Sequence, residues 1–280
     1  MDLWIVLRIV SLTGERLAYR VFGRDRASPW AVMGLSYVGA AVWLWAIAAW
    51  KGTSGFDWQA LGPGTLYAGA FALSTMSLVI GEASQVSPWS NATTLLLFLI
   101  HPAHLPPTSW LLIGLFAVGA WWQVQGHLSK PVWMMLASDG LLAMGRLADV
   151  HVQSPDPWTY GASLMTCVAS WMIAAVFWHQ EGKAVFRVAK AMPVTTGIVG
   201  LLNAIAYVSV VILLKRWPAS LVEASSAVAA FFAALIAVYL FREAANSRRI
   251  GGAAIMTVTA VLLILDYSRA AGHQGLGDPW

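Results

Sequence analysis

Long apolar segments recur along the whole chain, and they constrain the fold more than any other feature. A helix needs about 20 predominantly apolar residues to cross the hydrocarbon core of a bilayer. Nine segments of suitable length, separated by short polar or Pro- and Gly-containing joints, predict spanning helices: 30–50, 61–80, 88–104, 108–125, 132–150, 158–178, 194–214, 218–241 and 250–267. Only 11% of the residues are charged, against roughly 25% in soluble domains. The sequence therefore predicts an all-α, multi-pass integral membrane protein.

The N-terminal segment 3–22 is a tenth candidate span. It is interrupted by four charged residues, Arg8, Glu15, Arg16 and Arg20. The alternative is an amphipathic helix that lies along the membrane interface. The opening MDLWIVLRIV has no basic start and no small-residue cleavage site behind an apolar core, so we expect no cleaved signal peptide.

Several classes of function are disfavoured by motif and charge pattern. The formal net charge of +4 is scattered over many joints instead of forming one basic patch, which argues against a nucleic-acid partner. No Walker loop, G-x-S-x-G, H-E-x-x-H or C-x-x-C motif is present, so we expect neither nucleotide-driven work nor a cofactor. His101 and His104 are three apart, but the surrounding prolines favour a loop, and we expect no metal. The single cysteine, Cys167, lies in an apolar segment and is expected to pack there.

Proline and tryptophan positions indicate an internal duplication. Four landmarks recur in order at offsets of 128 to 130 residues: Pro29 with Pro157, Trp43 with Trp171, Pro63 with Pro193, and Pro88 with Pro218. The alternative is chance similarity between apolar segments. The duplication predicts two five-helix repeats, 1–126 and 127–268, followed by a polar tail, 269–280. Because five is odd, the second repeat would enter the membrane from the opposite side, giving the inverted repeat of many secondary transporters.

The segment from Leu214 to Leu265 carries a family resemblance. It contains a Pro-Ala-Ser start to a helix rich in small residues, a Glu after the aromatic-rich end of that helix, and an Arg-Ile-Gly opening of the last helix. This pattern resembles the EamA-type members of the drug/metabolite transporter superfamily. The resemblance implies ten transmembrane helices around a central cavity, alternating access, and transport of small polar or amphiphilic metabolites across the cell membrane of a bacterium.

Charged residues inside apolar segments are the first candidates for a site, because an ionisable group in a bilayer is costly unless it has a function or a partner. Asp139 and Arg146 are seven apart and share a helical face, whereas Arg8 and Glu15 have the same spacing with reversed signs. In antiparallel helices, Glu15 would lie level with Asp139, and Arg8 with Arg146. This predicts a cavity suited to a zwitterion or to proton-coupled exchange. The alternative places Glu15 at the interface and pairs Arg146 with Asp149 near a helix end.

Other residues are secondary candidates. Glu223 is either a substrate or proton contact or, as its position slightly favours, a carboxylate stabilised at a helix N-terminus. Further candidates are hydrogen-bonding residues, Asn203, Tyr207, Trp89 and Asn91, and two stacking walls, Trp43 and Trp171. Small residues predict close helix packing at Ala229, Ala230, Ala233, Ala234 and Ala237, and at Gly114, Gly251 and Gly252.

The distribution of basic residues predicts an orientation. With ten spans, the joints after odd-numbered spans contain nine Lys and Arg residues and the other side contains four. The positive-inside rule then places both termini outside the cytoplasm. We expect a secondary transporter of a small molecule, with the lipid bilayer as its surroundings. The alternatives are a membrane enzyme acting on lipid or lipid-linked substrate, and a non-transporting subunit. The sequence names no substrate, direction of transport or oligomeric state.

Overall fold

The computed structural model describes residues 3–53, 55–100, 107–123, 129–152, 154, 156–243 and 247–273. Every regular element in these ranges is a helix. The α-helices are α1 (Leu3–Arg24), α2 (Pro29–Trp50), α3 (Leu61–Ile80), α4 (Ala83–Val86), α5 (Ala92–Ile100), α6 (Pro107–Gln123), α7 (Lys130–Val150), α8 (Pro157–Trp178), α9 (Gly182–Ala191), α10 (Pro193–Leu214), α11 (Ala219–Phe241) and α12 (Ser247–His273). Two 3₁₀ turns, Trp58–Ala60 and Ser87–Asn91, precede α3 and α5.

Within the described ranges, six helical stretches are long and apolar enough to cross a membrane. They are Pro29–Trp50, Trp58–Ile80, Pro157–Trp178, Pro193–Leu214, Ala219–Phe241 and Ile250–Tyr267, and a shorter apolar stretch covers Thr108–Trp122. The prediction of an all-α, multi-pass membrane protein is confirmed at this level.

The positions where several helices begin are explained by prolines and by one capping carboxylate. Pro29, Pro157 and Pro193 open α2, α8 and α10, where a missing N–H costs nothing because first-turn N–H groups have no partner within the helix. Asp156 caps α8 by accepting hydrogen bonds from the backbone N–H groups of Trp158 and Thr159. Burial alone would raise the pKa of Asp156, but hydrogen bonds from the Thr159 side chain and from both backbone groups lower it.

Two elements differ from the prediction. The expected continuous span 88–104 is broken into α4, a 3₁₀ turn and α5, because Pro88 cannot donate the hydrogen bond that would continue an α-helix through this point. His101 and His104 lie outside the described residues.

The joint between α8 and α10 contains an unpredicted helix, α9, which buries Val188 and exposes Lys183, Arg187 and Lys190 at helical spacing.

The helices pack in recurring pairs. The pair of α3 and α7 is matched by α10 and α1, and the contact of α3 with α8 is matched by α10 with α2. Two further pairs, α2 with α8 and α6 with α12, join equivalent positions of the two halves. α1 packs against α3, α10 and α11, so it is part of the bundle.

Small residues permit the closest approaches. A Cβ atom on Gly200 of α10 would lie 2.9 Å from the Cα of Gly39 in α2. The alanine stripe of α11 is buried, as expected. The predicted role of Gly114 and Gly251 is wrong, because a Cβ at either position would meet nothing within 4 Å. α6 instead approaches α12 at Gly119, where a Cβ would lie 3.0 Å from the carbonyl oxygen of Gly252.

Candidate functional site

Three helices bring buried charges together at one level of the bundle. Glu223 of α11 lies between two guanidinium groups: it forms a 2.8 Å ion pair with Arg8 of α1 and accepts a hydrogen bond from Nε of Arg146 in α7. Glu223 is the fifth residue of its helix and binds charges from other helices. The interpretation of this carboxylate as a helix-start group is therefore wrong. Arg8 also donates to the Ser225 hydroxyl at 3.0 Å.

Asp149 extends this arrangement toward the end of α7. Its carboxylate accepts hydrogen bonds from the hydroxyls of Tyr67 at 2.5 Å, Tyr160 at 2.6 Å and Tyr207 at 3.3 Å. Arg146 lies 3.4 Å from the same carboxylate. Pairing of Arg146 with Asp149 thus accounts for only part of the environment of Arg146. We call Arg8, Arg146, Asp149 and Glu223 the charge cluster; its two cations and two carboxylates balance.

A small cavity adjoins the charge cluster. Its volume is about 80 Å³, well below the roughly 300–1,000 Å³ of ordinary ligand pockets. Six charged side chains line it: Arg8, Glu15, Arg16, Asp139, Arg146 and Glu223. Asn203 and Tyr207 also line it. The sequence-predicted charges therefore converge on one cavity, and this conformation has room for a solute of only a few heavy atoms.

Asp139 is held on one side only. Its Oδ1 accepts a hydrogen bond of 2.9 Å from the Thr93 hydroxyl, while Oδ2 has no partner among the described residues. The side chain is almost completely buried. Thr93 belongs to α5, immediately after the broken part of the fourth segment, so this break supplies a polar contact to the cavity wall.

Arg16 was not selected from the sequence as a site residue, yet it lines the cavity and is 6% exposed. Its guanidinium donates to the Ser90 hydroxyl at 2.7 Å and the Ser226 carbonyl at 3.4 Å. In the described ranges no carboxylate lies within 4 Å of it. The sequence could have identified Arg16 by its spacing, because a position eight residues after Arg8 places both arginines on one broad face of α1.

A chain of neutral groups leads away from Asn203. Its amide donates to the Tyr19 hydroxyl at 3.0 Å, Tyr19 donates to Tyr37 at 3.3 Å, and Tyr37 is hydrogen-bonded to Thr75 at 3.1 Å. The two tyrosines were missed because an aromatic residue in an apolar segment usually packs, and its hydroxyl partner is visible only in three dimensions.

The predicted tryptophan walls lie elsewhere. Trp43 and Trp171 are 42% and 55% exposed and do not line the cavity, so their assignment as stacking walls is wrong. Both side chains are exposed on the outside of the bundle. Trp89 packs, partly buried, in the apolar cluster around Tyr19, and Asn91 is directed at the sulfur of Met256; neither lines the cavity.

A separate ion pair lies toward the opposite end of α1. Arg20 binds Glu243 at 2.6 Å and donates to the Gly81 carbonyl at 3.1 Å. Glu243 also accepts from the backbone N–H groups of Ala83 and Ser84 at the start of α4. We call Arg20 and Glu243 the latch. Arg8 and Arg20 are twelve residues apart, about 18 Å along the helix, and Arg16 lies between them.

Comparisons with known proteins add a fold and no function. No family model matches the chain, and no curated protein matches its sequence. A solved structure, described only as "Crystal structure of protein", is similar over 94% of this chain and 98% of its own, with a TM-score of 0.68 and 14% sequence identity. At this identity the similarity shows a shared fold alone. The chain therefore has a fold already seen in a protein of similar extent.

Proposed function

We propose that the protein is a secondary transporter that moves a small metabolite across a membrane by alternating access. One observation carries the proposal: a cavity lined by six charged side chains lies inside a bundle of membrane-length helices, between the charge cluster and the latch. Buried charges are rare in spanning helices and usually mark a solute or ion pathway.

The proposed architecture has ten spans in two inverted repeats, 1–126 and 127–268. The matched packing pairs support it, because exchanging the halves leaves the set of helix contacts nearly unchanged. Arg8 near the start of α1 and Arg146 near the end of α7 meet at Glu223, as expected for antiparallel counterparts. The matched helix pairs, together with the sequence resemblance of Leu214–Leu265 to that family, support membership of the EamA-type drug/metabolite transporters.

The broken fourth segment fits the proposed mechanism. Discontinuous helices at mid-membrane often form the binding sites of transporters, since irregular backbone is tolerated where it lines a cavity. Here the break supplies Ser90 to the cavity, and the preceding α4 is held by the latch. Opening the latch would therefore move a segment that forms part of the cavity wall.

The alternatives predict different geometry. An enzyme acting on lipid would concentrate polar groups at one membrane face, and a non-transporting subunit would tolerate changes in the cavity. The charged groups instead extend from the latch through Arg16 to Asp149, along much of the bundle, which favours a pathway.

We place the protein in the cell membrane of a bacterium with both termini outside, because the end bearing the latch and α9 carries more basic residues.

The test is flux in proteoliposomes. The purified chain would be reconstituted and assayed with radiolabelled amino acids, amines, sugars and nucleosides, with and without a pH gradient. We expect saturable uptake of at least one class, abolished by Glu223→Gln and retained by Asp266→Asn, whose carboxylate binds Thr108 and Ser109 away from the cavity. Permeability equal to protein-free liposomes across the whole panel would contradict the proposal.

A further inference from the structure

We propose that the outer face of α9 binds the phosphate headgroups of anionic phospholipids such as phosphatidylglycerol. This face consists of Lys183, Phe186 and Lys190, with Arg187 at its edge, and we call it the basic face. A lipid site there would be separate from the central cavity and independent of the solute that the chain moves. The position of α9, the side of the helix that the bundle covers and the charges left exposed support it.

α9 is held close to the ends of two membrane-length helices. Residues 179–181 join it to the end of α8, and Met192 alone joins it to the start of α10. Because a chain extends at most about 3.6 Å per residue, α9 stays near these helix ends. Apolar side chains next to the two joints are exposed: Phe177, Trp178 and Val194. Tryptophan at the end of a span is typical of the membrane–water interface, so α9 lies at the level of the lipid headgroups.

The bundle covers one side of α9. Val188 is buried, and Ala184 and Val185 pack with it in an apolar cluster that also contains Tyr19 and Val199. Through this side α9 packs against α2 and α10. The opposite side is exposed and is therefore the one that can bind a partner from outside the chain.

Basic and aromatic side chains occupy this exposed side. Lys183, Phe186 and Lys190 follow one another at spacings of three and four residues, which places them on one face of the helix. The two lysines are two turns apart, about 10 Å along the axis, with Phe186 between them. Basic residues that reach phosphates, beside an aromatic ring that enters the acyl boundary, are typical of helices that bind anionic membranes. A lipid surface would cover the ring of Phe186, which water leaves exposed.

The cations of the basic face lack nearby carboxylates. Among the residues that the structure describes, no Asp or Glu oxygen lies within 4 Å of Lys183, Arg187 or Lys190. An anionic lipid surface attracts such residues, and the attraction adds up over neighbouring cations. In the proposed orientation this end of the bundle faces the cytoplasmic leaflet, whose anionic lipids supply the complementary charge.

The groove behind α9 is a poorer site for an anion. It lies between α9 and the joint of α1 and α2, and its lining includes Arg26 and Arg187 together with Asp25 and Glu181. Two carboxylates balance two guanidinium groups there, so the groove has no excess of positive charge. The excess is on the two lysines of the basic face.

Lipid competition on the full-length purified chain in detergent tests the site without measuring flux. Equal concentrations of phosphatidylglycerol and phosphatidylcholine with the same acyl chains would be added, and bound lipid identified by native mass spectrometry. We expect the wild type to prefer phosphatidylglycerol by about tenfold or more. The combined Lys183→Gln, Arg187→Gln and Lys190→Gln variant should lose at least about fivefold of this preference, and Lys183→Arg with Lys190→Arg should keep it.

A matched control removes the same number of charges from the same end of the bundle. Arg24→Gln, Lys130→Gln and Arg242→Gln alter three exposed residues outside α9, and this combined variant should keep the wild-type preference within about twofold. Acetylation locates the site on the unaltered chain. Phosphatidylglycerol should slow the reaction of an amine-reactive ester with Lys183 and Lys190, but not with Lys130.

The opposite outcomes overturn the lipid site. They are equal binding of the two lipids by the wild type, an equal loss in the control variant, and unprotected lysines on α9. Displacement by an equal concentration of inorganic phosphate would assign the face to free anions, and tighter binding of a glutamate-rich peptide would assign it to an acidic protein. Lipid preference without flux of any solute would uphold the basic face and overturn the transporter, and flux without lipid preference would do the reverse.

Discussion

Arg8 of α1 and Glu223 of α11 form an ion pair of 2.8 Å whose side chains are only 3% and 1% exposed. Removing one partner of a buried pair leaves a charge without compensation, which typically costs about 3–5 kcal/mol. Glu223 pairs with two arginines, whereas Arg8 pairs with one carboxylate among the described residues. We therefore expect Glu223→Gln to lower the melting temperature more than Arg8→Met. Thermal unfolding in detergent measures this. Equal melting temperatures for Glu223→Gln and the wild type would show that the pair adds nothing to stability.

The buried carboxylate of Asp149 is stabilised by hydrogen bonds from tyrosine hydroxyls. Removing one hydrogen bond to a charged acceptor costs about 1.5–3 kcal/mol, so Tyr160→Phe should lower the midpoint of denaturant unfolding by a corresponding amount. Tyr239→Phe, at a position 90% exposed, is the control and should leave the midpoint unchanged. Equal midpoints for Tyr160→Phe and the control would mean that this hydrogen bond is replaceable.

The latch should govern access to the cavity from its own end. In a Cys167→Ser background, Ser74→Cys places a thiol in the cavity wall. We expect Glu243→Gln to increase the rate at which a membrane-impermeant maleimide labels this thiol from the latch side, because Arg20 loses its carboxylate and one of the two oxygens that accept from α4 is replaced by an amide nitrogen. The control is Asp25→Asn, exposed at the same end. Unchanged labelling would show that the latch has no part in gating.

α2 and α10 pack so closely that adding one methyl group between them should destabilise the fold. Gly200→Ala would place a Cβ 2.9 Å from the backbone of Gly39, and overpacking of this kind costs about 1–3 kcal/mol. Gly197→Ala, in the same helix with nothing within 4 Å of its Cβ, should be neutral or slightly stabilising, because alanine favours helix. A lower melting temperature for Gly197→Ala than for Gly200→Ala would refute this packing.

The cap of α8 predicts a pH dependence. The pKa of Asp156 is lowered in the folded chain, so its contribution is complete above its ordinary pKa of about 3.9 and is lost as the pH falls through the lowered value. Asp156→Ala should cost about 1 kcal/mol at pH 7. The difference in unfolding free energy between this variant and the wild type should shrink in acid below that range. A constant difference down to pH 2 would contradict a stabilising role of the ionised carboxylate.

The sequence predicted part of the candidate site and missed the rest for definable reasons. Arg8, Glu15, Asp139 and Arg146 were found because a charge in an apolar segment needs an explanation wherever it occurs. Arg16 was passed over because its interfacial alternative had the same local pattern. Trp43 and Trp171 were misassigned because repetition in sequence does not tell which helical face points inward.

The sequence by itself determined the helical membrane class and most helix positions, because the bilayer sets the length of an apolar segment and proline marks where a helix begins. Only the tertiary structure decided which charges are satisfied. Arg8 and Glu223 are more than two hundred positions apart, and no local pattern relates them. Their pairing, together with the latch, leaves Arg16 without a carboxylate within 4 Å and one oxygen of Asp139 without a hydrogen-bond partner in the described part of the chain, because a buried charge is compensated by its neighbours in space.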